Sequence, residues 1–333
     1  MDINSNNSKL DISVAIPVYN EEKNIIPLLE SLFTQTYQPK EIIISDGGSN
    51  DKTITLINDF IKKNNSENIL IKIIGRKGKC RGAGRNIAIK NSSSKYVALI
   101  DAGHIADKNW LELFVEIILK KNNVDIIFGS VKPIKDNFFN KIISSFVLGN
   151  KKHDEMIINT VASIIIKKTV FEKIGYFIES SDGTYVVEDL NFLNKIKKSK
   201  AIKLLYCKRS YTNWLVCENY YQILEKYTSY SIGAINSGYF HIWHKNVFRN
   251  LIILILLIYL SLNFLNIFLL IILLLTLFFF RALFYLNKNQ WFNESNNLMK
   301  IKYLVNLNFL LILIDYAAIK GFYLWILKKL KLK

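Results

Sequence analysis

Several short stretches of this chain carry residue types that can bind and activate a group attached to a nucleotide. They are Tyr19-Asn20-Glu21, Asp46, the basic stretch Gly75–Arg85 with Arg76, Arg81 and Arg85, Asp101, and the pair Glu188-Asp189. Carboxylates and amides can hydrogen-bond a base and a ribose, while Arg or a metal ion neutralises a diphosphate. Other nucleotide chemistries are excluded by the first turn, Pro17-Val18-Tyr19-Asn20-Glu21-Glu22, which has no glycine. A dinucleotide-binding domain needs Gly-x-Gly-x-x-Gly there, and a P-loop needs a glycine-rich turn ending in Gly-Lys-Ser/Thr. A nucleotidyltransferase would want a glycine-rich basic turn at the same place. A nucleotide site without a glycine clamp remains.

The elements that must position these residues alternate. Strands are expected at Asp11–Val18, Glu41–Ser45, Ile69–Ile74, Tyr96–Ile100 and Asp125–Ser130. Helices are expected at Glu21–Thr36, Asp51–Lys63, Asn86–Ser92, Asn109–Lys121 and Glu188–Lys198, with apolar residues at helical spacing such as Ile25, Leu28, Leu29 and Leu32. Continuous apolar strands alternating with helices predict an α/β fold built on a mostly parallel, doubly covered sheet. Ligands of such sheets bind at the carboxyl ends of the strands, where the polar stretches fall. One strand-end Asp is an ordinary cap for the next helix, and Asp51 is read that way. Four successive polar ends around one crevice point to a site.

In order and spacing, Ile16-Pro17-Val18-Tyr19-Asn20-Glu21-Glu22, Asp46-Gly47-Gly48-Ser49-Asn50-Asp51-Lys52-Thr53, Gly82-Ala83-Gly84-Arg85-Asn86, Asp101-Ala102-Gly103 and Glu188-Asp189 resemble the motifs of family 2 glycosyltransferases. The resemblance covers roughly residues 11–235 and implies a GT-A-type fold. It implies that Pro17, Tyr19 and Glu21 line the base and ribose pocket, that Asp46 hydrogen-bonds the base, and that Arg85 lies near the sugar diphosphate. It implies that the pair Glu188-Asp189 is catalytic, with Asp189 as general base. The alternative for that pair is stabilisation of a helix N-terminus. The family's metal motif is Asp-x-Asp, and here it reads Asp101-Ala102-Gly103-His104, so the second carboxylate is replaced by Gly103. Asp101 with phosphate oxygens and waters would serve Mg²⁺, whereas a nitrogen from His104 would favour Mn²⁺. The Gln-x-x-Arg-Trp motif of processive members is missing, which favours single-sugar transfer over polymer synthesis.

Composition supplies the setting. The chain has 333 residues, Lys+Arg 44 against Asp+Glu 27, a net charge of +17 and 50% hydrophobic residues. Disorder and a small disulfide scaffold are excluded, the latter by three Cys in that length. From Asn250 to Phe280 there is no charge, and a second apolar stretch runs from Tyr303 to Leu327. As one helix the first run would be about 47 Å long at ~1.5 Å per residue, longer than the ~30 Å hydrocarbon core, so a hairpin turning near Asn263 and Asn266 or one tilted helix is expected. Residues 246–333 hold ten Lys/Arg and two Asp/Glu, a net of +8, placed where lipid headgroups would lie. Met1–Lys9 is polar and does not read as a signal peptide, so the N-terminal region is expected to be cytosolic.

The expected organisation is a polar tail 1–10, a glycosyltransferase domain 11–235 and a membrane-anchoring region 236–333 with apolar segments 247–262, 264–284 and 303–327. Tyr185, Tyr206, Tyr211, Trp214, Tyr220, Tyr221, Tyr227 and Tyr230 suit core packing or a membrane interface. Asn137–Leu148 is amphipathic and suits the interface or a cover on the sheet. The function expected is inverting transfer of a sugar from a nucleotide-sugar donor to a membrane-associated, polyprenyl-linked acceptor in cell-surface glycan or glycoprotein assembly. The partners expected are that donor, a lipid-linked acceptor and membrane lipids, with a divalent metal, Mg or Mn, as cofactor and no nucleic acid. The place expected is the cell membrane, multi-pass, with the catalytic domain cytosolic. A polyprenyl-phosphate sugar synthase and a non-catalytic membrane-anchored scaffold stand as alternatives.

Overall fold

The computed structural model describes residues 9–64, 69–75, 78, 80–121, 123–148, 157–158, 160–180, 187–263, 267–287 and 289–331. Four strands form a parallel half-sheet: β1 (Ile12–Val18), β2 (Glu41–Asp46), β3 (Leu70–Gly75) and β4 (Tyr96–Leu99), in the order β3-β2-β1-β4. Every residue of β1, β2 and β4 is buried, as strands covered on both faces must be. The side chains of β1 alternate between two cores. Ile12, Val14 and Ile16 face α1 (Ile25–Phe33) and α2 (Thr53–Lys63), whereas Ala15 belongs to the opposite core with Ala88 and Ile89 of α3 (Arg81–Lys90).

Glu41 closes one end of this half. Its buried carboxylate accepts from Ser13 Oγ at 2.6 Å, Ser93 Oγ at 2.9 Å and Lys72 Nζ at 2.8 Å, tying β1, β2, β3 and the approach to β4 together. Burial alone would raise its pKa, but these donors hold it down at about 2.

Two helices differ from the sequence expectation. The first begins at Ile25 rather than Glu21, because Asn20 is left-handed (φ 53°) and the Glu21 carbonyl accepts from both Asn24 N and Ile25 N in a turn that precedes the helix. The third begins at Arg81 rather than Asn86, so Gly82 and Gly84 lie inside it. Glycine is a poor helix former. Here it permits close packing: a Cβ on Gly82 would sit 2.3 Å from the Ile178 carbonyl oxygen and 3.1 Å from Glu188 Cβ.

The rest of the sheet is antiparallel. It comprises β5 (His104–Ala106), β6 (Ile126–Pro133), β7 (Ile157–Ile158), β8 (Ile164–Lys167) and β9 (Leu204–Trp214). The full order is β3-β2-β1-β4-β8-β6-β9-β5, with β7 on β6. The strand expected at Asp125–Ser130 is therefore not a fifth parallel neighbour. Strand β8 lies between it and β4 and runs against both. The helices α4 (Trp110–Lys120), α6 (Thr169–Ile174) and α7 (Glu188–Lys198) cover this half, and α5 (Phe138–Leu148) follows β6. Phe171 of α6 and Phe192 of α7 stack at 5.6 Å inside the second core.

The chain forms two compact units, the sheet with its covers and a helical unit that includes α5 and everything from residue 216 onward. The division interrupts the chain more than once, where the sequence reading drew a single boundary at 235. The helical unit contains α8 (Tyr220–Asn236), α9 (Phe240–Asn263), α10 (Ile267–Leu286), α11 (Gln290–Asn293) and α12 (Asn297–Lys331). Across 247–284 there are two helices rather than one, and Asn266 lies outside the described residues. In α12, Gly321 brings the backbone against α8, where an added Cβ would lie 2.5 Å from Ser231 Oγ. Ser231 Oγ donates to the Ala318 carbonyl at 2.9 Å. Arg281 and Asp315 form a two-pronged ion pair, 2.7 and 3.0 Å, between α10 and α12. The spans Phe268–Leu286 and Asn297–Leu330 are long and apolar enough to cross a membrane, and only 11% of the first is buried, unlike a core helix of a soluble protein.

Several of the aromatic residues take packing roles, whereas Tyr221 is exposed. Tyr206 stacks on Phe128 and Trp214 on His104 in the sheet unit, while Tyr220 meets Phe139 and Tyr227 meets Phe146 in the helical unit. Tyr185 lies outside the described residues. The amphipathic helix α5 belongs to the helical unit, with Phe138 stacked on Tyr303 at 4.6 Å.

Candidate active site

The carboxyl ends of β1 and β2 are adjacent because Val18 pairs with Asp46 in the parallel register. Pro17 is buried within β1 opposite Ser45, and Tyr19 follows it, half-buried. The loops after the two strands are stitched together. Asn20 N donates to Ser49 Oγ (2.9 Å), Asn50 N to Asn20 Oδ1 (3.0 Å), Glu21 N to Thr53 Oγ1 (2.7 Å) and Glu22 N to Asp51 Oδ2 (3.1 Å). Asp51 also accepts from Thr53 N and Thr53 Oγ1, but it stands one residue before the N-cap, Lys52, rather than at the cap expected from the sequence. The Glu21 carboxylate accepts from Asn24 Nδ2 at 2.8 Å. Asp46 accepts from Gly48 N, Ser49 N and Ser49 Oγ, which fixes its carboxylate at the strand end. Gly47 is confined, since a Cβ there would lie 3.0 Å from the Gly78 carbonyl and 3.2 Å from the Tyr19 ring.

A second group of site residues converges on Arg85. Its side chain projects from α3 and is 1% exposed. Nη2 donates to Asp101 Oδ1 and Nη1 to Glu188 Oε1, each at 2.7 Å, and the guanidinium lies over the Phe177 ring at 5.4 Å. A planar fork suits two carboxylates approaching from different sides. Burial would lower the pKa of Arg85, but the charges of Asp101, Glu188 and Asp189 outweigh it and raise it. Burial likewise raises Asp101, and Arg85, Arg81 and His104 overcome it and hold that carboxyl at about 2. Glu188 goes the other way, because burial, reinforced by the neighbouring charge of Asp189, lifts its pKa despite Arg85 and Arg81. Asp189 is half-buried in the first turn of α7, and its Oδ1 accepts from Leu190 N at 2.8 Å.

The structure thus brings Arg85, Asp101 and Glu188 into direct contact. It gives Arg85 two carboxylate partners where the resemblance implied a diphosphate. Arg76 lies outside the described residues. Two further residues support the cluster. Asn86 Nδ2 donates to the Phe177 carbonyl (2.9 Å) and to Glu179 Oε1 (2.6 Å), and Asn86 Oδ1 accepts from Phe177 N (3.0 Å), which holds Phe177 under Arg85. Asn86 was legible as part of the motif, but Phe177 carried no signal of its own.

Around Asp101 the donors do not make a preformed divalent-metal site. Its carboxylate is paired with Arg85, and a Cβ on Gly103 would meet nothing within 4 Å, so the place of a second carboxylate is open space. His104 is built into β5, its ring stacked on Trp214 and its Nδ1 3.0 Å from Thr212 Oγ1. Among the described residues, no group of three His, Cys, Asp or Glu side chains is placed to hold an ion.

The conserved-domain profile for glycosyl transferase family 2 matches residues 13–178, the stretch that contains nearly all of β1, then β2 to β8, and Asp46, Arg85 and Asp101. Through these residues the chain belongs to that family. The chain is 29% identical over 140 residues to an Escherichia coli UDP-Glc:alpha-D-GlcNAc-diphosphoundecaprenol beta-1,3-glucosyltransferase, an alignment covering 42% of this chain and 52% of that protein. It is 35% identical over 133 residues to a Methanococcus voltae dolichyl N-acetyl-alpha-D-glucosaminyl phosphate 3-beta-D-2,3-diacetamido-2,3-dideoxy-beta-D-glucuronosyltransferase, covering 38% of this chain and 40% of that protein. The chain thus spans about half or less of the length of these curated relatives. The solved mannosyltransferase of Pyrobaculum calidifontis, in complex with GDP-Man and Mn²⁺, has the same fold at 14% identity, with a TM-score of 0.57 and coverage of 94% of this chain and 88% of that one. The family 2 domain and the fold around it are the α/β, GT-A-type architecture expected from the sequence.

Proposed function

We propose that this protein is an inverting glycosyltransferase that moves a sugar from a nucleotide-sugar donor to a membrane-associated, polyprenyl-linked acceptor. The observation that carries the reading is the cluster of Asp101, Arg85 and Glu188, with Asp189 beside it, in a chain of the family 2 glycosyltransferases.

Pro17, Tyr19, Glu21 and Asp46 form the base and ribose end of the donor site, where the fixed Asp46 carboxylate accepts from an imide N–H. Asp101 and Arg85 stand at the sugar-diphosphate end. Asp189 takes the proton of an acceptor hydroxyl as that oxygen attacks the anomeric carbon, opposite the departing nucleoside diphosphate. A single displacement with one base inverts the anomeric configuration. Glu188 and Arg85 position Asp189: the ion pair anchors the first residue of α7, and Asp189 is the second.

The acceptor class rests on two supports. The names of both curated relatives describe lipid-linked acceptors. The apolar, exposed α10 and the basic C-terminal region suit a membrane position. We read the chain as multi-pass with its catalytic unit on the cytosolic side.

The test is a donor screen. Release of nucleoside diphosphate is measured from UDP-, GDP- and dTDP-sugars, with Mg²⁺, Mn²⁺ or chelator, and with polyprenyl phosphate or a polyprenyl-linked sugar as acceptor. Transfer to the lipid-linked sugar supports the reading. Transfer to polyprenyl phosphate alone makes the protein a polyprenyl-phosphate sugar synthase. No release, together with no nucleoside-diphosphate binding by calorimetry, makes it a scaffold.

A further inference from the structure

The first third of α9 carries a feature that the proposed transfer reaction does not use. His241, Lys245 and Arg249 recur every fourth residue and are exposed, so they share one face of the helix over about 12 Å. Together with Phe240, Phe248, Ile252 and Ile253 their stems line a shallow, almost wholly apolar surface of this one helix, and the cationic heads stand at its edge. No acidic side chain lines it. The other sides of the same turns are engaged internally: Val247, roughly opposite, is buried, and His244, on the flank, is buried against Ser231 Oγ at 2.9 Å. The cationic face is therefore the outward one. Beyond Arg249 the same helix continues without a charge, and its side chains stay exposed, with Ile252 at 57% and Leu256 at 53%.

This arrangement is amphiphilic along the helix axis rather than across it. Cations stand at one end, and apolar side chains follow directly on the same face. A free anion would use only the cations, and an apolar peptide only the lower turns. A lipid with a phosphate headgroup uses both. The exposed lower turns form an open surface and do not enclose a single chain, which suits the acyl chains of a bilayer lipid rather than a slot for one prenyl chain. We infer that His241, Lys245 and Arg249 form a seat for the phosphodiester headgroup of an anionic bilayer phospholipid, whose acyl chains run along Ile252, Ile253 and Leu256. The inference rests on the reading that these helices lie in a membrane.

The experiment uses the full chain in neutral detergent and native mass spectrometry of lipid adducts. Phosphatidylglycerol, phosphatidylcholine, polyprenyl monophosphate and inorganic phosphate are added separately. Phosphatidylglycerol adducts are expected in about tenfold excess over phosphatidylcholine, to fall at least fivefold in K245Q/R249Q, and to weaken severalfold between 0.1 and 0.5 M salt. The salt series needs no variant, so it decides the matter even if the double substitution disturbs folding. Equal binding of phosphatidylcholine and phosphatidylglycerol overturns the proposal, as does salt-independent binding or an undiminished adduct in a folded double variant. Preference for polyprenyl monophosphate over phosphatidylglycerol overturns it in favour of an acceptor site. Equally strong binding of inorganic phosphate overturns it in favour of a plain anion site. Failure of the membrane reading is separable, because it would show as full-length protein that stays in solution without detergent and does not sediment with liposomes.

Discussion

Arg85 Nη1 lies 2.7 Å from Glu188 Oε1 across 103 residues of sequence, and both side chains are buried. The same guanidinium holds Asp101 at 2.7 Å. One cation therefore fixes the end of β4 and the start of α7 with respect to each other. In the proposed reaction these are the two places where donor and base would meet.

Asp189→Asn keeps the shape of the first turn of α7 and removes the proton acceptor. Sugar transfer should fall by about 10²–10⁴-fold, the usual contribution of a positioned base. Nucleoside-diphosphate binding, measured by calorimetry, should stay within about twofold of wild type. A variant that transfers at the wild-type rate would remove Asp189 from the mechanism.

Arg85→Met leaves Glu188 buried without its cation. Breaking one side of a buried pair costs about 3–5 kcal/mol, so the melting temperature should drop sharply. Adding Glu188→Gln to the same chain removes the stranded charge and should recover a good part of that stability. Transfer should not recover, because Asp101 and Asp189 are still no longer held together. Thermal melts and turnover on the single and double variants separate the two effects.

Acid stability should follow Glu41 and Asp101. Both have folded pKa values of about 2, below the ordinary range of ~4 for such groups. A depressed carboxyl stabilises the fold above its unfolded pKa, and that contribution is lost as pH falls through ~4 toward 2. Glu188, whose pKa is raised, opposes this trend, since its ionised form is disfavoured in the fold. Glu41→Gln should cost about 3 kcal/mol at pH 7 and much less near pH 2.5. Urea unfolding at the two pH values measures the difference, and an equal cost at both would show that the carboxylate's charge contributes nothing.

Gly103→Asp restores a second carboxylate where an added side chain has open space. Affinity for Mn²⁺ should rise about tenfold in calorimetric titrations made without nucleotide. Unchanged binding would mean that the backbone aims the new side chain away from Asp101.

Much of the site was legible because the polar residues sit at strand ends, and strand ends are readable from apolar runs such as Ile12–Val18 and Glu41–Asp46. What Arg85 touches was not legible. Its partners lie 16 and 103 residues away, and a local motif cannot say whether a cation meets a phosphate or a carboxylate. The start of α3 was misplaced because Gly82 weakens the helical pattern, and the reason for that glycine, the Ile178 carbonyl, is remote in sequence. The antiparallel half was missed because β6 and β8 are short apolar runs, and such runs carry no mark of direction.

The interleaved chain path has a practical outcome. Helix α5 precedes α7 in sequence, yet its buried residues Ile142, Ile143 and Leu148 belong to the helical unit whose main body begins after residue 216. A fragment ending at residue 235 would keep α5 and discard α10 and α12, turning an interior surface into an adhesive exterior one. The sheet unit is thus no detachable cassette, and a version without the C-terminal helices would require redesign of α5.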